Sequence, residues 1–205
     1  MFTALAARTL PGVRVFHMVD ESLIGNTIRA GGLQKDTIRR IVAQIDSARQ
    51  AGADAVMVTC SSIGAAVPVA RQLFDMPILR IDERLAEAAV NQGPRIGVLA
   101  TLKTTLEPTV ALVQGTAAAL GKPAEITAHL CEGAFEAVIA GDVATHDKAV
   151  AAGLKKLAET SDVIVLAQAS MARVIDAMGD ELPKLPILSS PLLAMQQAAS
   201  VLGVL

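Results

Sequence analysis

Short apolar runs alternate with amphipathic ones along this chain. Seven runs have strand character: "VRVFHMV" (13–19), "DAVMVTC" (54–60), "PILRI" (77–81), "RIGVLAT" (95–101), "EITAHLC" (125–131), "DVIVLAQ" (162–168) and "PILSS" (186–190). Most are apolar at nearly every position rather than at alternate ones, as strands covered on both faces are. Helical patterns fill the gaps. "KDTIRRIVAQIDSARQAG" (35–52) puts Ile38, Ile41, Val42 and Ile45 on one face and ends at Gly52. "THDKAVAAGLKKLAET" (145–160) does the same with Val150, Leu154 and Leu157. Strands alternating with helices over short connections predict an α/β fold with mostly parallel sheet.

The pattern also repeats. "ADAVMVTCSSI" (53–63) aligns without a gap to "SDVIVLAQASM" (161–171), which sets Cys60 opposite Gln168 and Ser62 opposite Ser170. Further on, "MPILRIDERLAEAA" and "LPILSSPLLAMQQAA" share Pro-Ile-Leu, and "VRVFHMVD" (13–20) stands opposite "PRIGVLAT" (94–101). An internal duplication follows: two pseudo-symmetric lobes, each a mostly parallel sheet flanked by helices, facing each other across a cleft. The first lobe is expected over 1–93 with the C-terminal segment 191–205, the second over 94–190.

Composition narrows the function. The chain has 205 residues, 52% hydrophobic, with a formal net charge of −2 and a mean hydropathy of +0.48. No basic stripe is present and aromatics are 2%, so the electrostatic and stacking footprints of a nucleic-acid binder are missing. No run reaches the roughly 18–20 apolar residues that span a bilayer, and the N-terminus lacks the long apolar core of a signal peptide. Cys60 and Cys131 are the only cysteines. They form neither a disulfide framework nor a zinc pattern, which suits reduced thiols in the cytoplasm.

In open parallel sheets, ligands sit beyond the carboxyl ends of strands. The loops there are "VDES" (19–22), "TCSS" (59–62), "ATLKTT" (100–105), "AQAS" (167–170) and "SSP" (189–191), four of them rich in hydroxyls. Cys60 ends a strand before a helix, where amides and the helix dipole favour an anion and are expected to depress a thiol pKa. Ser61 or Ser62 can cap that helix, and spare N–H groups can hold a carboxylate. The bland reading is a small buried thiol behaving as a hydrophobe. Cys131 has no hydroxyl cluster and is read as structural. Thr101, Thr104 and Thr105 suit a carboxylate or enolate oxygen; capping explains one of them. Lys103 is read as solvated. Asp20, Glu21 and Ser22 could accept a proton or orient a thiol, or simply cap a turn. His17 and His129 read as hydrogen-bonded core residues and His146 as part of a solvated helix. No histidine has a partner at metal-ligand spacing, and no nucleotide-binding glycine loop occurs, so no cofactor or metal is expected.

"VTCSSIG" and "RIGVLATLKT" in combination, with a duplicated strand closing the set, resemble the aspartate/glutamate/hydantoin racemase superfamily over roughly residues 13–200. The resemblance implies two pseudo-symmetric α/β lobes, no cofactor, and two cysteines that exchange a proton on opposite faces of a carbon next to a carboxylate. It implies Cys60 as the first-lobe thiol, with Ser61 and Ser62 as carboxylate-binding neighbours. Thr101 and Thr104 match the family's Thr-x-x-Thr, and Asp20 or Ser22 its first-strand loop. The second family motif, Gly-Cys-Thr-His, reads Ala167-Gln168-Ala169-Ser170 here. A carboxamide cannot exchange a proton at neutral pH, so one face of a two-thiol site has lost its base.

Four functions compete. A cofactor-independent racemase or isomerase of a small carboxylate would use Cys60 and a second base from water, Asp20 or Glu21. A lyase is the second: the superfamily includes arylmalonate decarboxylase, where one thiol protonates an enediolate, although that thiol lies in the second lobe. The third is addition–elimination isomerisation with Cys60 as nucleophile, as maleate isomerase suggests. The fourth is a carboxylate-binding module with an inert Cys60. The expected partner is a small carboxylate substrate, with neither nucleic acid nor membrane; a homo-oligomer is compatible with the sequence. No arginine clearly sits in a cleft loop, Arg80 and Arg173 lying nearest.

Overall fold

Parallel strands flanked by helices build both halves of the chain. The computed structural model describes residues 1–204. These divide into two compact units, Met1–Asp82 with the C-terminal segment from Pro191, and Glu83–Ser190.

The first unit runs α1 (Phe2–Thr9), α2 (Glu21–Arg29), α3 (Lys35–Gln50), β1 (Val56–Val58), a 3-10 turn (Ser61–Ala66), α4 (Val67–Ala70) and β2 (Ile78–Arg80). Helix α10 (Ser190–Leu202) completes it. β1 and β2 pair in parallel, Val56 opposite Ile78 and Val58 opposite Arg80. Their side chains alternate between two layers, as the pleat requires. Val58 and Ile78 pack with Ile41 and Ile45 of α3. Leu79, with Met57 beside it, packs with Leu10 and with Met195 and Ala199 of α10. Helix α3 forms where the 3.6-residue pattern predicts it and stops two residues short of the expected glycine. Gly52 adopts φ +85°; its N–H reaches the Arg49 carbonyl at 2.9 Å and the Ala53 N–H reaches Ala48 at 3.1 Å. That left-handed cap satisfies the last carbonyls of the helix.

The second unit carries α5 (Glu83–Gln92), β3 (Arg95–Ala100), α6 (Lys103–Ala119), β4 (Glu125–Leu130), α7 (Ala134–Ile139), α8 (Val143–Ala158), β5 (Val163–Leu166), α9 (Ala172–Met178) and β6 (Ile187–Ser189). Its sheet has the order β4-β3-β5-β6, every pair parallel. β5 is buried at all its positions and β3 at all but Arg95, as their continuous apolar character requires. β4 stands at the edge and is half open. Leu99, Leu154, Leu157, Ile164 and Leu166 form its core with Cys131 and Val150.

One expected strand is absent. Residues 13–19 form no strand, and Val15, Phe16, Met18 and Val19 are exposed. The composition of this run is right for a strand, but a strand exists only by pairing, and nothing among the described residues pairs with it.

Two histidines also differ from expectation. His17 is exposed, its Nε2 at 2.9 Å from the Thr3 hydroxyl. His146 is fully buried, its Nδ1 at 2.7 Å from Asp147 and 3.2 Å from Arg173. It precedes Val150 and Leu154 on the buried stripe of α8, so helical periodicity takes it inward.

Candidate active site

Cys60 leaves β1 in extended conformation and is itself the residue that heads the following 3-10 turn. Cys60, and not Ser61 or Ser62, takes the cap position of that turn, contrary to expectation. The Ser62 and Ile63 N–H groups and the Ser62 hydroxyl lie near enough to the Cys60 sulfur to favour its thiolate, and the Ile63 N–H donates to the Cys60 carbonyl at 3.2 Å. Ser61 and Ser62 are both buried. The donors favour a thiolate, yet burial dominates and pushes the Cys60 thiol up, with the Asp82 carboxylate adding to the rise. The expected depression of this thiol is therefore overturned. Six residues of 3-10 turn provide a weaker field than a long α-helix, and removing a thiolate from water costs more than those donors return.

Asp82 is a site residue that sequence reasoning missed. It is buried and receives a forked pair from buried Arg80, Nε to Oδ1 at 2.6 Å and Nη2 to Oδ2 at 3.1 Å. The signal was a charged Arg-Ile-Asp directly after an apolar strand. Arg80 lies across Gly64: a Cβ on that glycine would stand 2.4 Å from the Arg80 Nε. Only a residue without a side chain leaves room for the ion pair there.

Asp20 and Ser22 cluster away from any free base role. Asp20 heads α2 and accepts from the Ser22 N–H at 3.1 Å and the Ser22 hydroxyl at 2.5 Å. Arg40 and Gln44 donate to its other oxygen at 2.6 and 2.8 Å, and Arg40 also donates to the Ser22 hydroxyl at 2.6 Å. The Ser22 hydroxyl lowers the Asp20 carboxyl most; desolvation opposes it, and the Ser22 N–H and Arg40 add enough to keep the carboxyl below the usual range. This geometry makes Asp20 a cap and a poor proton acceptor.

In the second unit, Gln168 heads a 3-10 turn (Ala169–Met171) after β5 in the same extended conformation as Cys60 after β1. Its carboxamide closes onto Thr101 at the end of β3. Gln168 Oε1 accepts from the Thr101 N–H at 2.6 Å, and Gln168 Nε2 donates to the Thr101 hydroxyl at 2.7 Å. The Thr101 amide is thus in use, and its hydroxyl, which accepts here, keeps its own hydrogen to donate. Thr104 lies in the first turn of α6, and its buried hydroxyl has no hydrogen-bond partner among the described residues. Pro108, one turn on, has no N–H to return to the Thr104 carbonyl. Ser170 is exposed. Lys103 is exposed, 3.5 Å from Glu107. Arg173 pairs with Asp147 at 2.7 Å. Burial pushes the Cys131 thiol up to about 11, and its sulfur donates to the Ala149 carbonyl at 3.5 Å, as befits a structural residue.

Among the described residues no group of three His, Cys, Asp or Glu side chains could hold a metal ion, and no helix is long and apolar enough to cross a membrane. These observations define an α/β protein of parallel sheets whose equivalent strand ends carry a thiol in one unit and a carboxamide in the other. The chain belongs to the Asp/Glu/Hydantoin racemase family, whose model matches residues 1–198. Solved structures share its fold. Glutamate racemase isoform RacE1 from Bacillus anthracis has a TM-score of 0.78 at 18% identity, covering 98% of this chain and 76% of that one. Glutamate racemase from Thermus thermophilus, in complex with beta-chloro-D-alanine, gives 0.73 at 20% identity over 99% and 76%. Allantoin racemase from Klebsiella pneumoniae gives 0.67 at 19% identity over 98% and 80%. No curated protein sequence matches the chain.

Proposed function

We propose that this chain is a cofactor-independent isomerase that exchanges a proton at the carbon next to the carboxylate of a small amino acid or related acid. Cys60 is its thiol acid/base, and Ser61, Ser62, Thr101, Thr104 and Gln168 bind the substrate. The carrying observation is Cys60 itself, ending a strand at the head of a turn whose Ser62 and Ile63 N–H groups and Ser62 hydroxyl favour its thiolate. Those donors stabilise the thiolate that forms when Cys60 gives its proton to a carbanionic substrate carbon, and the thiolate takes a proton back in the reverse sense. The internal repeat supports joining Thr101 and Gln168 to the same reaction. Racemases named for glutamate and for allantoin share the fold and suggest amino acids and hydantoin-like ureides as the compounds to test.

A specific observation favours a second reading, a lyase. A thiol pushed up is protonated at neutral pH and is set to donate rather than accept. Loss of CO₂ from a malonate-type acid leaves the bond's electron pair on the carbon as an enediolate, and the Cys60 S–H supplies the proton.

A panel of amino acids, hydantoins and malonates incubated in deuterated water tests both. Uptake of deuterium at the α-carbon without CO₂ release, lost in Cys60→Ala, supports the isomerase. CO₂ release with deuterium incorporation supports the lyase. Carboxylate binding with neither, and a Cys60 of ordinary inertness, marks a binding protein.

A further inference from the structure

The first unit contains an apolar slot of about 890 Å³. One side is residues 13–19 and the other is β1. Above and below lie helices: Ile41, Ile45 and Ala48 of α3 line one layer, and Ala6, Leu10 and Ala198 from the α1 and α10 side line the other. The slot therefore has the edge of β1 on one flank, the unpaired 13–19 run on the other, and a helix layer on each face. That is the surrounding of an interior strand in a three-layer α/β sandwich.

Among the described residues both flanks lack a partner on the slot side, β1 pairing with β2 alone. In a parallel ladder a strand's successive residues bond to opposite neighbours, so with Val56 and Val58 engaged toward β2, the Met57 N–H and carbonyl face the slot. Residues 14–19 make no backbone hydrogen bond to another described residue. The size agrees as well. A strand of six residues, at about 3.3 Å per residue, one inter-strand spacing and one layer thickness, fills roughly 950 Å³. The long walls offer unpaired backbone and apolar side chains. Asp20, Thr59 and Cys60 line one end, and Arg14, Gln44 and Asp54 add polar groups elsewhere along the lining.

We propose that this slot seats one added β-strand, an extended apolar polypeptide segment of about six residues that the described residues do not supply. It runs parallel to β1, between β1 and residues 13–19. The direction follows from α1. The Thr3 hydroxyl bonds His17 at 2.9 Å, so the start of α1 lies toward the far end of the 13–19 run, and α1 descends antiparallel to it. A parallel strand whose carboxyl end meets Met1 would make α1 the crossover of a βαβ unit, for which the right-handed form is almost universal. The same end of the strand then stands beside Cys60, and the added segment shields the thiol.

The experiment uses the full chain and the peptide Lys-Val-Ile-Val-Ile-Val-Thr-Lys. In one arm the peptide is added in trans at millimolar concentration. In the other it is fused ahead of Met1, which raises its effective concentration to the millimolar range without solubility limits. The control carries proline at the central valine, which removes a ladder donor. Amide hydrogen exchange at residues 13–19 and at Met57 should slow by at least tenfold with the peptide and not with the proline control. Cys60 alkylation should slow in parallel. Unchanged exchange in the trans arm at saturation overturns the proposal even if the fusion misfolds. Equal protection by the proline peptide, or protection that tracks dimerisation of the chain without peptide, overturns it too. None of these readouts depends on catalysis, so failure here leaves the isomerase reading intact.

Discussion

Gln168 and Thr101 hold each other through two hydrogen bonds of opposite sense, the carboxamide oxygen accepting from the Thr101 N–H at 2.6 Å and its nitrogen donating to the Thr101 hydroxyl at 2.7 Å. The residue equivalent to Cys60 is therefore engaged as a clamp on the end of β3. Proton exchange should then be one-sided. With deuterated water and a suitable substrate, the wild type should exchange with retention and racemise slowly. Gln168→Cys should raise racemisation relative to exchange, measured by chiral chromatography beside mass spectrometry. Fast racemisation by wild type with Cys60→Ala fully active would place the chemistry elsewhere.

The clamp also stabilises. Thr101→Val removes the acceptor for the Gln168 amide and leaves it partly buried and unpaired. Urea denaturation should show a loss of about 1–3 kcal/mol, and the double variant Thr101→Val with Gln168→Leu should recover part of it.

Asp20 separates a cap from a base. Asp20→Asn keeps an oxygen for the Ser22 N–H and should leave Cys60-dependent exchange within severalfold of wild type. Because the folded pKa of Asp20 is depressed, its contribution to stability is present above the unfolded carboxyl pKa and lost as pH falls through the folded one. The variant's acid unfolding limb should therefore be flatter. A loss of exchange beyond a hundredfold would make Asp20 the base.

Alkaline behaviour follows from the thiols. Cys131 is pushed up to about 11, so the native state holds its proton where the unfolded chain has released it. Stability should be full below the unfolded thiol pKa of about 8.5 and fall toward pH 11, by on the order of 2 kcal/mol. Cys131→Ala should lower the baseline but flatten that slope, as read by thermal melts across the range.

Gly64→Ala tests the ion pair under the thiol. The new methyl collides with the Arg80 guanidinium, which Asp82 holds, so it is accommodated only by moving Arg80 out of that pair. A cost of about 1–3 kcal/mol is expected. With Arg80 displaced, the Asp82 charge is less neutralised, and Cys60 should alkylate more slowly at a given pH. Unchanged stability would mean that Arg80 yields freely.

Much of this was legible in the sequence, and the reason is periodicity. β5 declared itself as a continuous apolar run because both faces are covered, and the ungapped repeat placed Cys60 and Gln168 in equivalent turns of their own units. What stayed hidden depends on neighbours distant in sequence. The 13–19 run has strand composition but composition does not supply a partner. The Cys60 thiol reads as activated from its place before a helix, yet burial and Asp82, 22 residues on, push it the other way. His146 looked solvated by residue type, although it shares the stripe of Val150 and Leu154.

The donors and the acidic neighbour of Cys60 all come from the first unit, while the Thr101–Gln168 clamp lies wholly in the second. The two strand ends are therefore separately heritable traits. A substitution at residue 168 changes what the second unit offers while the donors and the carboxylate around the thiol keep their places in the first, and the reverse holds at residue 60. Such modularity lets a duplicated scaffold discard one reactive group and explore new chemistry at that position while the other retains its environment unchanged.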